Sequence, residues 1–561
     1  RIQTHSYREV AEEAAYTWFN RLMAIRIMVK NELVPAVLEY ESDEVRIPLL
    51  VSEARQRRFP QMNEESRQKL EALLNNDALT DEQFAVLIVA YCHSSPIIHK
   101  SFGAISDYTE LLLPSNILAK DGFIDKLNAD EYISDEDYRS PELIGWLYQF
   151  YISERKDEVF AKKSKFEADE IPAATQIFTP NWIVKYMVQN TVGRIYLDNN
   201  PYTDIKKEMQ YLVEPVEPTP ADAIYQFENI HDLTCADLAC GSGHILNECF
   251  DLLYQIYIEE GYNRRKAVED IFRYNLTGID IDTRAKQLAT FALLMKACQK
   301  DASFVDAHCM PRVLDMPVPY AEAMGKTFNT PDEERTFIRS VLSEYIMGGN
   351  AEVLDELTDA VSLMNDAQTL GSIMKFTISE RTRNVIAVRT AEYEQQEVLS
   401  EDIRKILPYM RIILTLTQNY AVLVMNPPYM GGGNMNEVLG KYVKENYENS
   451  KADLFSVFMD LAIDRLKQEG KYGMINMQSW MFLSSFEKLR KKVLDNYQID
   501  SMLHLGPRTF DELSGEVVQN TAFVISRNHK ENTQGTYFRL VDGKNCGDKE
   551  QMFLNHREQG A

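Results

Sequence analysis

The stretch that decides the fold is Tyr420-Ala-Val-Leu-Val-Met425, followed directly by Asn426-Pro-Pro-Tyr429. The apolar run predicts a buried strand of a parallel sheet. The loop after such a strand lies at the carboxyl edge, where open α/β folds place their active sites. Two prolines fix φ and lack N–H groups, so the loop is rigid and holds the Asn426 carboxamide at one angle. A rigid amide oxygen beside free carbonyls can orient an exocyclic amino group for attack on an electrophilic methyl group. An ordinary proline turn after a buried strand stays open as the alternative.

A glycine loop lies upstream, in Ala236-Asp-Leu-Ala-Cys-Gly241-Ser-Gly243-His-Ile-Leu246. Its pattern predicts a strand, a tight turn and a helix over residues 245–260. Glycines let the backbone approach a ligand closely, and the start of a helix presents free N–H groups. Because no Gly-Lys-Ser/Thr continuation follows, a phosphate-binding P-loop is not predicted. The third glycine of the dinucleotide fingerprint is also absent.

A second short strand ends in an acid, in Leu276-Thr-Gly-Ile-Asp280-Ile-Asp282. An acid at the end of the second strand is placed to accept hydrogen bonds from ribose hydroxyls, as in dinucleotide-binding folds. Asp282 is predicted to cap a helix over residues 283–300.

A third element precedes the glycine loop, in Ala174-Thr-Gln-Ile-Phe-Thr-Pro180, with an amphipathic segment over residues 182–192. Thr179 is predicted as the N-cap of this helix and Pro180 as its first residue. A plain helix start is the structural alternative to a ligand-binding role.

The order of these four motifs resembles that of S-adenosylmethionine-dependent N6-adenine DNA methyltransferases. The resemblance implies an α/β fold with a Rossmann-like, seven-stranded methyltransferase core, and S-adenosylmethionine as the cofactor. It also implies an acid after the third strand that binds the cofactor's adenine, for which Asp315 is preferred over Asp366. The predicted cofactor-binding residues are Thr179, Pro180, Asp237, Ala239, Cys240, Gly241, Ser242, Gly243, Asp280, Ile281 and Asp315.

Three further segments narrow the resemblance: Tyr16-Thr-Trp-Phe-Asn-Arg-Leu-Met-Ala-Ile-Arg26, Pro141-Glu-Leu-Ile-Gly-Trp-Leu-Tyr-Gln-Phe-Tyr151, and the Met-Gly-Gly-Gly-Asn-Met-Asn436 continuation of the proline loop. All three resemble the phage-defence (BREX) methyltransferases called PglX or BrxX, from about residue 7 to residue 530. The resemblance implies methylation of one adenine in an asymmetric host DNA sequence. It also implies partners within a multi-protein defence system, and a recognition domain beyond the point where this chain stops.

The predicted chemistry needs no metal and no covalent enzyme intermediate. The target adenine is flipped out of double-stranded DNA, because it cannot be reached inside the stack. The Asn426 side-chain oxygen and the Pro427 carbonyl accept hydrogen bonds from its amino group, and Pro428 keeps the loop rigid. Tyr429 stacks on the base through its ring, so we expect Tyr429→Phe to be nearly silent. The predicted catalytic residues are Asn426, Pro427, Pro428 and Tyr429.

Composition predicts a large cytoplasmic protein. The 561 residues can bury several cores, and seven cysteines without regular spacing do not form a secreted disulfide framework. Cys235, Cys240 and His244 cluster in sequence, but burial explains them better than zinc. No apolar run is long enough to span a membrane. The chain opens on Arg1 rather than Met, so we expect a trimmed chain.

The charge is unusual for a DNA enzyme, since 60 basic and 85 acidic residues leave a formal net charge of -25. Nucleic-acid binders usually carry a basic footprint. Either basic residues are focused at Arg55-Gln-Arg-Arg58 and Lys488-Leu-Arg-Lys-Lys492, or the phosphate contacts belong to a region beyond this chain, which we favour. Both basic runs also fit ordinary solvated helix faces.

Periodicity predicts three regions: a helical amino-terminal domain over residues 1–170, a methyltransferase core over 171–530, and the start of a target-recognition region over 531–561. A helical insertion is expected at about 320–405 of the core. Helices are predicted at 454–468 and 486–497, and strands at 472–477, 499–505 and 521–526.

Three other functions stay open. The same loop suits methylation of a protein glutamine or of a base in RNA, although such enzymes are compact. A fused nuclease is not indicated, because the first 170 residues carry no convincing Pro-Asp…Glu-x-Lys arrangement. A DNA-binding defence scaffold with incidental catalysis is the alternative from another class. The recognition sequence and the oligomeric state do not follow from the sequence.

Overall fold

The computed structural model describes residues 7–42, 44–105, 107–129, 133–161, 165–167, 170–171, 178–510, 518–528 and 533–559. The chain divides into two compact units. The first comprises Arg1–Tyr148 and Gln287–Pro311, and the second comprises Gln149–Lys286 and Arg312–Ala561. Two of the three boundaries fall within the helices Leu143–Ala161 and Thr283–Lys300, and the third lies between Pro311 and Arg312.

The first unit is helical, as the spacing of its apolar residues predicts. Helix Tyr7–Lys30 buries Val10, Ala14, Trp18, Leu22 and Ile25. Apolar residues at this spacing share one helix face, so the helix buries a continuous stripe. The other helical segments of this unit are Leu49–Arg55, Glu64–Leu73, Thr80–Ser94, Pro96–Phe102, Asp107–Glu110, Phe123–Ala129, Asp135–Arg139 and Ala302–Asp306.

The second unit is built on a mixed, largely parallel sheet. Within the described residues, eight strands lie in the order β3-β2-β1-β4-β5-β7-β6-β8. Strands β1 to β5 pair in parallel, whereas β7 runs antiparallel to both β5 and β6. The strands are β1 Cys235–Asp237, β2 Leu276–Asp280, β3 Arg312–Asp315, β4 Tyr420–Met425, β5 Leu466–Met477, β6 Gln498–Gly506, β7 Asn520–Ser526 and β8 Thr536–Arg539.

The strand order reverses between β1 and β4, which lie side by side at the centre of the sheet. Cys235 pairs with Val422 and Ala236 pairs with Leu423. From β1 the chain builds outward to β2 and β3, and from β4 it builds outward in the opposite direction. Open α/β sheets bind ligands at the carboxyl edge of such a switch point.

Helices of the second unit cover the sheet and form the predicted helical insertion between β3 and β4. The insertion contains Tyr320–Ala323, Pro331–Tyr345, Ala351–Leu363, Met364–Asp366, Ala367–Leu370, Gly371–Ile373, Glu380–Glu394 and Glu401–Thr417. The remaining helical segments are Asn181–Val188, Gln189–Gly193, Arg194–Asn199, Asp204–Glu208, Ala221–Ala223, Ile230–Asp232, His244–Glu259, Arg264–Asp270, Ile271–Asn275, Glu437–Asn446, Leu454–Arg465, Gln478–Met481, Ser484–Phe486, Glu487–Asn496 and Cys546–Gln559.

Two local predictions are wrong. The helix predicted over 454–468 ends at Arg465, because pairing with β4 draws the polar residues from Leu466 onward into β5. Thr179 is not the helix cap: Pro180 occupies the N-cap position of Asn181–Val188, and no side chain caps that helix. Residues 174–177 of the same predicted element lie outside the described residues.

The segment after residue 530 adds to the sheet. Strand β8 pairs in parallel with β6, and Phe553 of helix Cys546–Gln559 packs against the rings of Trp182 and Tyr211. The predicted domain limits at residues 170 and 530 stay predictions. No described helix is long and apolar enough to cross a membrane.

The start of β5 depends on Gly470. A Cβ at this position would lie 2.8 Å from the Ala421 carbonyl oxygen and 2.9 Å from the Lys467 carbonyl oxygen. Both atoms belong to the backbone and cannot move alone, so we expect Gly470→Ala to destabilise the protein by about 1–3 kcal/mol. Thermal and urea unfolding would measure this. The matched control is Gly348→Ala, where a Cβ meets nothing within 4 Å. Equal unfolding curves for the two variants would contradict the close approach of β5 to β4.

Candidate active site

A cavity lies at the carboxyl edge of β1, β2 and β4, where the strand order reverses. It encloses about 990 Å³ of empty space, part of it open to solvent. This is the position expected of a ligand site in an open α/β sheet. The predicted site residues that line it are Thr179, Asp237, Ala239, Cys240, Gly241, Ser242, Asp280, Ile281, Asn426 and Pro428.

The glycine loop bends sharply at the floor of this cavity. Gly241 has a φ of 52° and Gly243 a φ of 89°, a region that favours glycine. Gly243 is the N-cap residue of helix His244–Glu259, and no side chain caps this helix. His244 and Ile245 line the cavity, so the positive end of the helix dipole faces it.

Asp280 ties the second strand to the glycine loop. One carboxylate oxygen accepts a hydrogen bond from Gly241 N (2.7 Å), and the other accepts one from Asp282 N (2.9 Å). Burial raises the pKa of Asp280 to about 7. Asp282 caps the next helix, as predicted, by accepting from Arg284 N (2.9 Å). Asp280 is therefore poised to change its ionisation near neutral pH.

Asp237, at the end of β1, is almost completely buried and holds the backbone of the glycine loop. Its carboxylate accepts a hydrogen bond from Ala239 N (3.0 Å). Burial raises the pKa of Asp237 well above its usual range, and the nearby Asp280 adds to the rise. Two acids thus share one end of the cavity, which favours a ligand that carries hydroxyl donors or positive charge.

Two hydroxyl groups hold the Asn426 carboxamide. Asn426 Nδ2 donates to Thr179 Oγ1 (3.0 Å), and Asn426 Oδ1 accepts from the Tyr429 hydroxyl (3.1 Å). Asn426 is thus fixed from both sides.

The Tyr429 hydroxyl is the centre of a wider network. Ile475 O lies 3.2 Å from it as a second acceptor that competes with Asn426 for its single proton, and it accepts from Asn520 Nδ2 (3.4 Å). The ring packs edge-on against Phe455, with centroids 6.1 Å apart. Tyr429 was predicted only to stack on the base, and these bonds were not predicted, because their partners lie on β5 and β7, distant in sequence.

The proline loop is anchored beyond Tyr429 by Asp453, the N-cap of helix Leu454–Arg465. Its carboxylate accepts from Met430 N (2.9 Å), and Leu454 N donates to Met430 O (3.0 Å). Burial raises the pKa of Asp453 to about 6. These bonds add to the rigidity that the two prolines impose.

Residues 369–373 of the helical insertion form one wall of the cavity. Ser372 Oγ donates to Leu238 O (2.6 Å), and the Tyr447 hydroxyl donates to Ile373 O (2.7 Å). Gly371, at a φ of 56°, lies against the side chain of Ile281. The turn sequence Leu370-Gly-Ser372 was the available signal for this wall, which was not predicted.

Several predicted residues lie outside the cavity lining. Pro180 starts the helix behind Thr179, and Gly243, Pro427 and Tyr429 support lining residues from within the two loops. Asp315, at the end of β3, faces Lys286 (3.4 Å). Asp366 precedes the insertion helix Ala367–Leu370. Neither acid is among the lining residues, and the assignment of Asp315 to the cofactor stays a prediction.

Other lining residues were not predicted. They are apolar or aromatic and come from segments distant in sequence, so only the tertiary fold brings them together. Phe178 packs near the ring of His244, with centroids 5.6 Å apart. The missed lining residues outside the insertion are Ile171, Phe178, Leu238, His244, Ile245, Leu439, Leu454 and Phe458.

The two basic runs are largely engaged in contacts within the chain. Arg55 donates to Gln83 (3.0 Å) and Thr80 (2.9 Å), and Lys488 pairs with Glu448 (2.9 Å). Side chains with such partners are less available to phosphate groups. Over the described ranges, no three His, Cys, Asp or Glu side chains form a group that could hold a metal ion.

Comparisons with known proteins agree with the motifs. Residues 274–510 match the family described as Eco57I restriction-modification methylase. The adenine-specific methyltransferase BrxX of Escherichia coli O9:H4 (strain HS) is 37% identical over 572 residues, which cover 97% of this chain and 46% of BrxX. The adenine-specific methyltransferase PglX of Lacticaseibacillus casei (strain Zhang) is 34% identical over 571 residues, again 97% of this chain and 46% of PglX.

A more distant relative is the type II restriction enzyme and methyltransferase RM.Eco57I of Escherichia coli, 23% identical over 74% of this chain and 34% of that protein. The chain spans about half the length of the first two relatives. The predicted resemblance is confirmed: over nearly its whole length, this chain is a homologue of part of the BrxX/PglX adenine-specific methyltransferases.

Proposed function

We propose that this protein transfers a methyl group from S-adenosylmethionine to the N6 amino group of adenine in DNA. One observation carries the proposal. The Asn426 carboxamide, held between the hydroxyls of Thr179 and Tyr429, lines a cavity that is also lined by a glycine loop and an acidic strand end. An amino-group acceptor and a nucleoside-type site therefore share one cavity.

The residues of the cavity fit S-adenosylmethionine. Asp280 offers carboxylate acceptors suited to ribose hydroxyls, and the bends at Gly241 and Gly243 leave the backbone open to close approach. Ile281 and the insertion residues 370–373 offer apolar contacts suited to a purine ring. Thr179 and Phe178 lie on the side of the cavity that Asn426 lines. When bound, S-adenosylmethionine would supply an electrophilic methyl group.

The chain itself contributes positioning and electrostatics. Asn426 Oδ1 and the Pro427 carbonyl accept hydrogen bonds from the amino group, which directs its lone pair toward the methyl group. Because Asn426 is already fixed by two bonds, little reorganisation is needed at the moment of transfer. The half-buried Tyr429 ring offers one face to the flipped base.

We further propose a cytoplasmic enzyme that acts on double-stranded DNA together with other proteins of a phage-defence system. The similarity to BrxX and PglX supports this assignment. Modified-base sequencing of DNA from host cells with and without the gene would test it. N6-methyladenine at one asymmetric sequence, present only with the gene, is the expected result. No methylated adenine in any sequence would overturn the proposal.

Asn426→Ala tests the catalytic loop. The change removes the acceptor for the amino group but leaves the glycine loop intact. We expect methyl transfer to fall by about 100-fold or more, as when one preorganised transition-state contact is lost. Binding of S-adenosylmethionine, measured by calorimetry, should survive. Full N6-adenine methylation by this variant would show that another group orients the base.

Tyr429→Phe tests the hydroxyl network. Loss of the hydroxyl removes its bond to Asn426 Oδ1. In place of the nearly silent effect expected from the sequence, we therefore expect kcat to fall by about 3- to 10-fold, the scale of one net hydrogen bond. The affinity for S-adenosylmethionine should not change. Tyr225→Phe is the matched control, since that hydroxyl also donates to a carbonyl, Asp232 O (3.2 Å), away from the cavity. If the two variants had equal kcat, the hydroxyl would not position Asn426.

The pKa of Asp280 predicts a pH dependence of cofactor affinity. With this pKa at about 7 in the free protein, the carboxyl gains a proton as the pH falls below neutrality. Ribose hydroxyls and a cationic ligand prefer the ionised form, so binding must then release that proton. We expect the dissociation constant of S-adenosylmethionine to rise about tenfold between pH 8 and pH 6.

Calorimetry in buffers of different ionisation enthalpy would measure both the affinity and the proton release. The control is Asp280→Asn, which should bind more weakly but without this pH dependence. A pH dependence that persisted in Asp280→Asn would show that Asp280 is not the titrating group.

A further inference from the structure

An exposed apolar pair, Phe482 and Leu483, stands on the loop that follows β5. Phe482 is 63% exposed and Leu483 is 53% exposed. Single exposed apolar residues are common on protein surfaces, but two adjacent large ones on a fixed loop beside a functional site indicate a contact.

The loop is held rigidly at both ends. Trp480 is buried against Phe523, with ring centroids 5.2 Å apart, and Phe486 is buried against Phe455 (5.4 Å). The fold thus buries the aromatic residues on either side and leaves the pair between them in solvent.

The backbone of the loop is fixed as well. Arg490 Nη1 donates to Trp480 O (2.8 Å) and to Leu483 O (2.6 Å), which closes the loop around Phe482. Arg490, which belongs to the basic run at residues 488–492, therefore holds the loop in its closed shape. Phe482 and Leu483 are therefore exposed although the backbone of their loop is fixed.

The position of the loop relates it to the catalytic residues. Met425, the last residue of β4, pairs with Met474, and β5 continues for three more residues to Met477. At about 3.3 Å per residue, β5 extends roughly 10 Å past the end of β4. The Phe486 ring packs against the Phe455 ring, which in turn packs against the Tyr429 ring. The apolar pair thus lies at the same sheet edge as Asn426 and projects beyond it.

We infer that Phe482 and Leu483 form a wedge that inserts into the DNA base stack beside the flipped adenine. The inference rests on the proposed function. Extrusion of a base breaks its stacking and pairing, and apolar side chains such as Phe and Leu stabilise the resulting gap by inserting between base steps. A rigid apolar tip beyond the base-binding residues suits this role. Ser484 and Ser485, exposed next to the pair, offer hydroxyls to the flanking backbone.

The test compares Phe482→Ala/Leu483→Ala with wild type in the full-length protein. Two synthetic duplexes carry the methylated sequence found by modified-base sequencing. In one the target adenine faces thymine, and in the other it faces an abasic site, which lowers the cost of flipping. We expect the double variant to methylate the paired duplex about 10-fold or more slowly, the scale of one lost stacking contact. On the abasic duplex its rate should return to near that of wild type.

Leu494→Ala is the matched control, since Leu494 is 58% exposed on the neighbouring helix Glu487–Asn496. It should match wild type on both duplexes. Equal rates of the double variant and wild type on the paired duplex would overturn the wedge and leave the pair as a contact for a protein partner. An equal loss on both duplexes would assign it a general structural role. If wild type methylates neither duplex, the proposed function itself fails.

Discussion

The parallel pairing of β1 with β4 is the contact on which the site depends. It joins segments almost two hundred residues apart, through Cys235 with Val422 and Ala236 with Leu423. Thr234, just before β1, strengthens the joint, because its hydroxyl accepts from Ala421 N (3.0 Å) and its carbonyl from Val422 N (2.9 Å). The glycine loop and the proline loop leave these two strands at the same edge. Without this pairing, the cofactor-type site and the amino-group acceptor would not share a cavity.

The proposed methyl transfer depends on the rigidity of Asn426 and of the loop that carries it. The Asn426 carboxamide is held by hydroxyls from an amino-terminal element and from its own loop. The loop is fixed in turn by two prolines and by Asp453. Beside it, Asp280 combines a structural bond to Gly241 with a pKa near neutrality. The same acid therefore couples the shape of the glycine loop to the ionisation of the cavity.

Much of this was predictable from the sequence, because the strands and turns around the site carry strong local signals. The strand before Asn426, the glycine turn and the acid at Asp280 each follow from apolar runs and turn residues, and the structure brings them together as expected. Long-range contacts were not predictable. The end of the helix at Arg465, the wall formed by Gly371 and Ser372, and the bonds of the Tyr429 hydroxyl all depend on partners distant in sequence.

The most direct test of this account is an experimental structure of the protein with S-adenosylhomocysteine bound. The account predicts the ribose against Asp280, the purine beside Ile281 and the sulfur directed toward Asn426, which keeps its bonds to Thr179 and Tyr429. A ligand bound outside this cavity, or a proline loop in which Asn426 turns away from both hydroxyls, would contradict it.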